Sequence, residues 1–182
     1  MEEFASLAGK TTVTAGPDFK YNYSYEEMGG LIQRFVPGWR VEIEKFFTMV
    51  LFNYAFSNGD AHLKNFALLQ TNSGDHILSP AYDLINTRIH VDDTYFALDK
   101  GLFTDGFKAD IWRKSGHASA DDFRVFGRRI GVLERRMEKL LQPFLIRQPW
   151  VESLIQRSFL DTQCQRAYLL HYQTRRNLLS GK

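Results

Sequence analysis

The chain has 182 residues, of which 44% are hydrophobic and 24% are charged. These values are ordinary for a folded protein, so the composition excludes a disordered chain and predicts one domain or one large lobe. The formal net charge of +2 gives no strong field that would favour nucleic acid or a membrane surface. A single cysteine, Cys164, excludes an internal disulfide framework and favours a reducing compartment.

The N-terminal residues show no signal-peptide pattern, because the sequence MEEFAS is acidic and is not followed by an apolar core segment. No apolar run in the sequence approaches the length that a membrane-spanning helix needs. We therefore expect a cytoplasmic protein without a membrane partner.

The first half of the chain predicts two helices. Residues 1–20 mix Thr, Gly and Pro, and we expect them to form an irregular opening segment. Ser24 and Glu27 form the pattern of an N-terminal capping box, and apolar residues at helical spacing follow until a Pro-Gly pair. From 41 to 57, apolar residues cover most of the helix circumference, which predicts a buried central helix.

The buried helix leads into a polar motif at Ser57–Phe66, which reads SNGDAHLKNF. Two apolar runs then flank the turn-forming stretch 71–75 and predict a β-hairpin. Pro80 favours a turn after the hairpin, and this turn carries Asp83. We expect the hairpin to bring Asp83 back towards Asn65.

Asp60, Asn65 and Asp83 have the residue types and spacing that phosphoryl transfer requires. In protein kinases an Asp accepts the proton of the attacking hydroxyl, an Asn five residues later binds Mg²⁺, and a second Asp holds the metal against the phosphates. Because Mg²⁺ prefers hard oxygen ligands and keeps several waters, one amide oxygen and one carboxylate suffice. The alternative is a structural role, since Asp and Asn are common turn residues.

The motif NGDAHLKNF at Asn58–Phe66, followed by LSPAYDLINT at Leu78–Thr87, resembles the C-terminal lobe of HipA-type serine/threonine kinases. These kinases are the toxins of bacterial toxin–antitoxin pairs. The likeness extends from residues 3–7 and 21–32 to residues 155–160, and so covers nearly the whole chain. It implies a mainly α fold with a small β-hairpin, that is, a protein-kinase-like C-terminal (helical) lobe that uses ATP and Mg²⁺.

The resemblance also implies roles for individual residues. Asp60 matches the catalytic acid/base, Asn65 matches a metal ligand and Asp83 matches the metal-binding Asp of kinases. His62 and Lys64 lie in the same loop, where they could contact a phosphate of the nucleotide or position Asp60. The implied partners are a protein substrate, an N-terminal kinase lobe in the same or a separate chain, and a HipB-like antitoxin.

The sequence departs from ordinary protein kinases in three respects. Asn58–Gly59 replaces the His-Arg pair before the catalytic Asp, and Leu84–Ile85 replaces the Phe-Gly pair after the metal-binding Asp. A glycine-rich phosphate loop and a strand lysine are missing from the 182 residues. The stretch Gly101–Lys108 does not fit the phosphate-loop pattern, so we expect an ordinary turn there. We therefore expect this chain alone to be catalytically silent.

The rest of the chain predicts a loop-rich segment and a helical bundle. Residues 87–116 show no sustained period, with a short strand expected at 95–98; this segment is either an activation and substrate-binding loop or a plain solvated loop. Residues 119–180 are expected to form the bundle, with helix starts at Ser119, Pro149 and Thr162. Acids break up the middle one of its three arginine pairs, at 135–136, and aromatic residues are sparse there, which favours solvated helix faces over direct contact with nucleic acid.

Residues 1–182 are thus predicted to be one lobe, with the catalytic and metal loops at 57–87. Three functions remain open, and the first is the HipA-like protein kinase lobe. The second is a small-molecule kinase of the aminoglycoside phosphotransferase type, because Gly59–Asn65 also fits the pattern Gly-Asp-x-His-x-x-Asn. The third is a non-catalytic, kinase-derived module that binds a partner. The likeness outside the loop favours the first, and the missing phosphate loop supports the third.

Overall fold

The computed structural model describes residues 1–181, which are mainly helical and contain one small antiparallel sheet. The strands are β1 (Glu2–Glu3), β2 (Ala67–Gln70) and β3 (His76–Leu78). The helices are α1 (Phe4–Leu7), α2 (Thr12–Ala15), α3 (Tyr25–Phe35), α4 (Trp39–Ala55), α5 (Asp110–Ser115), α6 (Ala120–Arg129), α7 (Glu134–Leu145), α8 (Pro149–Gln156) and α9 (Thr162–Ser180). Short 3₁₀ turns occur at Leu63–Asn65 and Thr87–Ile89.

The two helices predicted in the first half of the chain are confirmed. At the start of α3, the Ser24 Oγ accepts a hydrogen bond of 3.0 Å from the backbone N–H of Glu27, and the Glu27 carboxylate accepts one of 2.8 Å from the Ser24 N–H. Most side chains of α4 are buried, although Val41 in its first turn is exposed. Because α4 packs against α3, α7 and α9, it is the central helix of the fold.

The predicted hairpin is present, but it belongs to a three-stranded sheet. Strands β2 and β3 pair with Leu68 opposite Leu78, and β1 adds to the other edge of β2 with Glu3 opposite Ala67. The opening segment is therefore not wholly irregular, because it contains β1, α1 and α2. A two-residue strand whose partner is far away in sequence leaves no local periodicity, which explains why the pattern did not predict it.

Buried aromatic rings fill the space between α4, α6 and the sheet. The rings of Phe46 and Phe66 lie 5.5 Å apart, Phe4 lies 6.1 Å from Phe66, and Phe126 lies 6.4 Å from Phe46. All four side chains have no exposed surface, and aromatic residues contribute large buried areas to a core. Because Phe66 directly follows Asn65, this packing fixes the end of the polar motif.

The prediction of a short strand at 95–98 is wrong, because this stretch forms neither a strand nor a helix. Its apolar side chains pack into the core instead of facing one side of a sheet. The ring of Phe96 lies 5.2 Å from that of Tyr54 and 5.9 Å from that of Tyr25, and Leu98 is buried. The apolar residues at 95–98 are therefore explained by burial of a loop and not by a strand.

The helix starts predicted at Ser119 and Pro149 are confirmed, because Ser119 caps α6 and Pro149 is the first residue of α8. The capping box predicted at Thr162 is wrong. Asp161 is the cap, and its carboxylate accepts a hydrogen bond of 2.7 Å from the backbone N–H of Cys164. An Asp caps a helix at least as well as a Thr. No helix described in residues 1–181 is long and apolar enough to cross a membrane.

Candidate active site

The loop that carries Asp60 leaves the C-terminal end of α4, where Ser57 adopts a left-handed conformation with φ of +57°. Asn58 is 4% exposed and makes three side-chain hydrogen bonds. Its amide group donates to Asn53 Oδ1 at 2.8 Å and to the Asp83 carbonyl at 2.9 Å. Its Oδ1 accepts from the backbone N–H of Asp60 at 3.2 Å. Asn58 therefore links the Asp60 loop both to α4 and to the turn that carries Asp83.

Asn65 and Asp83 lie in direct contact. The Asn65 amide nitrogen donates a short hydrogen bond to the Asp83 carboxylate, and the Asn65 Oδ1 accepts one of 3.1 Å from the His62 backbone N–H. Asp83 is exposed and has a left-handed backbone with φ of +55°, a conformation that Asp tolerates better than most residues. Hydrogen bonds thus connect the backbone of Asp60 through Asn58 to the Asp83 turn, and Asp83 to Asn65. Asn65 is buried, whereas the Asp60 side chain and Asp83 are accessible.

The Asp60 carboxylate lies between an aromatic hydroxyl and an imidazole. The Tyr21 hydroxyl donates a hydrogen bond of 2.8 Å to Asp60 Oδ1, and the His62 Nε2 lies 3.8 Å from Asp60 Oδ2. Burial lowers the pKa of His62 although the Asp60 charge opposes this shift, which favours the neutral imidazole. The Asp60 side chain remains 45% exposed, so a substrate can reach its carboxylate.

Tyr21 is a site residue that the sequence did not reveal. Its position is fixed by the backbone on both sides, since the Leu63 N–H donates to the Lys20 carbonyl at 3.1 Å and the Asp99 N–H donates to the Tyr21 carbonyl at 2.9 Å. Neither contact is local in sequence. The only signal was that Tyr21 begins one of the stretches that resemble the family.

Thr87 and Asp93, which follow Asp83 in the sequence, also hold the loop that carries Asp60. The Thr87 hydroxyl accepts a hydrogen bond of 2.9 Å from the Gly59 N–H, and it lies 3.1 Å from the Ser57 carbonyl and in contact with the Asp93 carboxylate. A Cβ atom at Gly59 would overlap that carboxylate. Any larger residue at position 59 would therefore force the Asp93 side chain or the loop to shift, which is a physical reason for a Gly directly before Asp60.

His62 and Lys64, the other two candidates of the loop, have different surroundings. His62 lies beside Asp60, as described above, and is 7% exposed. The Lys64 side chain is exposed. Its backbone carbonyl accepts a hydrogen bond of 2.8 Å from the Tyr82 hydroxyl. The structure therefore places the His62 side chain beside the Asp60 carboxylate. It shows no contact between the Lys64 ammonium and that carboxylate within residues 1–181.

The oxygen atoms of Asn65 and Asp83 are suitable ligands for Mg²⁺ bound to a nucleotide. Within residues 1–181, no group of three or more His, Cys, Asp or Glu side chains could hold a metal ion. A carbonyl oxygen has two lone pairs, so the Asn65 Oδ1 keeps one after accepting from His62. Since Mg²⁺ often takes one or two protein ligands and completes its shell with phosphates and water, this donor set fits a metal–nucleotide complex.

The family described as "HipA-like C-terminal domain" matches residues 1–149 of this sequence. The chain therefore belongs to the HipA-like C-terminal domain family, which confirms the resemblance found in its motifs. It is 25% identical over 176 residues to "Putative kinase" of Haemophilus influenzae, covering 91% of this chain and 50% of that protein. It is 32% identical over 87 residues to "Putative kinase Y4dM" of Sinorhizobium fredii, covering 48% of this chain and 20% of that protein.

The fold is similar to that of a chain in the solved complex of HipA, HipB and operator DNA from the Shewanella oneidensis MR-1 toxin–antitoxin system. The TM-score is 0.64 at 19% identity, and the match covers 94% of this chain and 40% of that chain. At this identity the likeness shows the fold alone. The chain spans about half the length of the Haemophilus relative and a smaller share of the other two proteins.

Proposed function

We propose that this chain is the C-terminal catalytic lobe of a HipA-like serine/threonine protein kinase, which transfers the γ-phosphate of ATP to a protein hydroxyl. The observation that carries the proposal is the hydrogen-bonded group in which Asn58 joins Asp60 to Asp83 and Asp83 contacts Asn65. Membership of the family and the kinase names of two relatives support it.

In this mechanism Asp60 is the base that accepts the proton of the attacking hydroxyl. Its Oδ1 is bound to the Tyr21 hydroxyl, which leaves Oδ2 for the substrate. The neutral His62 beside Oδ2 does not compete for the negative charge as a cation would. Asn65 and Asp83 would hold Mg²⁺, which supplies positive charge to the phosphates of ATP.

We propose further that transfer requires an N-terminal lobe, in the same or a separate chain. The glycine-rich loop and strand lysine that cover and grip the phosphates in kinases are missing from these 182 residues. Phosphoryl transfer depends mainly on positioning and electrostatics, so this lobe without those contacts should be silent although the acids are present. The solved complex that shares the fold contains HipB, which supports a HipB-like antitoxin as a partner.

Calorimetry with Mg²⁺-ATP and a radiolabelled transfer assay test the proposal, both with and without a supplied N-terminal lobe. Asp60→Asn should abolish transfer and leave nucleotide affinity nearly unchanged, whereas Asp83→Asn should weaken binding itself. Asp75→Asn is the matched control, because Asp75 is an exposed residue of the hairpin turn and should behave as the wild type.

Each contrary result has a defined meaning. Equal loss of nucleotide binding in Asp60→Asn and Asp83→Asn would show that Asp60 is not the base. Transfer by residues 1–182 alone would show that the contacts that hold the ATP phosphates lie within this chain. Transfer to an aminoglycoside but to no protein would favour the small-molecule kinase, and no nucleotide binding even with the second lobe would favour the binding module.

A further inference from the structure

A second polar pocket, of about 210 Å³, borders the first residue of the Asp60 loop. It is lined by Ser57, Arg88, Tyr95, His171, Thr174 and Arg175. Three of these six side chains are basic and none is acidic. The proposed phosphotransfer mechanism uses none of them, so the concentration of positive charge needs a separate explanation.

Arg175, on α9, is buried at 3% exposed surface, yet its guanidinium is incompletely bonded. Its Nε donates a hydrogen bond of 3.3 Å to the Ser57 Oγ, while its Nη1 is buried without a hydrogen-bond partner in residues 1–181. The rings of Tyr95 and Tyr54 lie 3.9 and 4.9 Å from its Cζ. Aromatic faces offset part of a buried positive charge, but an unbonded N–H of a buried cation remains unfavourable.

Arg88 adds to this positive charge, and His171 lies beside both arginines. The Arg88 Cζ lies 5.8 Å from the ring of Tyr95, so both arginines contact the same aromatic side chain. Burial lowers the pKa of Arg175, and Arg88 lowers it further against the opposing effect of the tyrosines. Burial and both arginines also lower the pKa of His171. The two arginines therefore repel each other, and the lowered pKa of His171 favours its uncharged form.

The neighbouring carboxylates offset this positive charge only in part. Asp92 pairs with Arg88 at 3.1 Å, but the Asp92 side chain is 92% exposed, and such pairs are weak. Asp93 raises the pKa of His171, yet its carboxylate contacts the Thr87 hydroxyl. A bound anion would therefore offset the remaining repulsion between Arg88 and Arg175.

We propose that this pocket binds a phosphate-like oxyanion, either free phosphate or the phosphoryl group of a phosphorylated side chain. Arginine clusters are well suited to such groups, because guanidinium N–H groups form charge-assisted and bidentate hydrogen bonds to phosphate oxygens. The hydroxyls of Ser57 and Thr174 add donors at the same pocket. The site is independent of the proposed kinase reaction, although its bond from Arg175 to Ser57 connects it to the loop that carries Asp60.

The test is calorimetry on the purified chain with sodium phosphate, and with the tripeptide Gly-phosphoserine-Gly against Gly-Ser-Gly, at constant ionic strength. We expect saturable binding of at least one phosphate compound. Arg88→Gln should weaken it about tenfold or more, as for the loss of a charge-assisted hydrogen bond. The matched control is Arg135→Gln on an exposed part of α7, which should bind as the wild type does.

Arg175→Met and His171→Gln extend the test, with circular dichroism to verify folding. If Arg175→Met does not fold, the partly exposed Arg88 and His171 still decide the outcome. Tighter binding of the phosphopeptide identifies a phosphorylated side chain as the source of the anion, and tighter binding of phosphate identifies the free ion. No saturable binding of either compound, or binding that the folded pocket variants leave unchanged, overturns the proposal.

Discussion

The Tyr21 hydroxyl donates a hydrogen bond of 2.8 Å to the Asp60 Oδ1 across 39 positions of the sequence. This bond engages one carboxylate oxygen, while the other oxygen, Oδ2, lies 3.8 Å from the His62 Nε2. The Asp99 N–H donates to the Tyr21 carbonyl and the Leu63 N–H donates to the carbonyl of the preceding residue, Lys20, so the backbone at Tyr21 is held on both sides. Tyr21 is therefore a positioning residue for the proposed base.

Removal of this hydroxyl should slow transfer without changing nucleotide affinity. Tyr21→Phe loses one hydrogen bond to a charged group, for which a loss of about 1.5 kcal/mol, or roughly tenfold in rate, is expected. Asn65 and Asp83 keep their mutual contact, so the Kd for Mg²⁺-ATP should stay the same. Single-turnover transfer by the two-lobe protein and calorimetry measure the two quantities separately.

Tyr82→Phe is the matched control for that prediction. The Tyr82 hydroxyl also donates at 2.8 Å, but to the carbonyl of Lys64 rather than to the Asp60 carboxylate. Its loss should leave the transfer rate nearly unchanged. A parallel loss of nucleotide affinity and rate in Tyr21→Phe would instead indicate that Tyr21 supports the whole site and not only Asp60.

Asn58 should be important for stability as well as for the site. Asn58→Ala removes three hydrogen bonds and leaves the Asn53 amide oxygen in a buried position without that partner. Buried polar groups that lose a partner cost about 1–3 kcal/mol each, so we expect the free energy of unfolding to fall by about 3 kcal/mol. Urea denaturation measures the change. The exposed Asn72→Ala should change it by less than about 0.5 kcal/mol, and a similarly small effect of Asn58→Ala would contradict the structural role.

The elements that the sequence predicted correctly are those with local signals. The Ser24–Glu27 capping box, the apolar stretch of α4 and the turn between β2 and β3 each depend on residues close in sequence. Tyr21 and β1 were missed because their partners, Asp60 and β2, are far away along the chain. Asn58 was visible only as a departure from the kinase motif, since its bonds to α4 and to the Asp83 turn exist only in the folded chain.

The aromatic core beneath the site should dominate stability. Phe46 has no exposed surface and packs against Phe4, Phe66 and Phe126. Phe46→Ala should therefore lower the free energy of unfolding by about 3–5 kcal/mol, as is typical when a buried Phe is truncated. Phe159→Ala is the control, because Phe159 is fully exposed, and its urea midpoint should be close to that of the wild type. Equal midpoints for the two variants would show that Phe46 is not part of a tightly packed core.

The close approach of Gly59 to Asp93 gives the most specific prediction. A Cβ atom at Gly59 would overlap the Asp93 carboxylate, and Asp60 is the next residue. Gly59→Ala should therefore displace the proposed base and reduce transfer about a hundredfold, the expected effect of a displacement of roughly 1 Å. Asp93→Ala creates space for the added methyl group, so the double variant should recover much of the rate. Gly30→Ala in α3 is the control, since a Cβ there meets no neighbouring atom. Single-turnover rates of the four proteins in this double-mutant cycle measure the coupling; if the losses of Gly59→Ala and Asp93→Ala simply add, the overlap is not what makes Gly59 necessary.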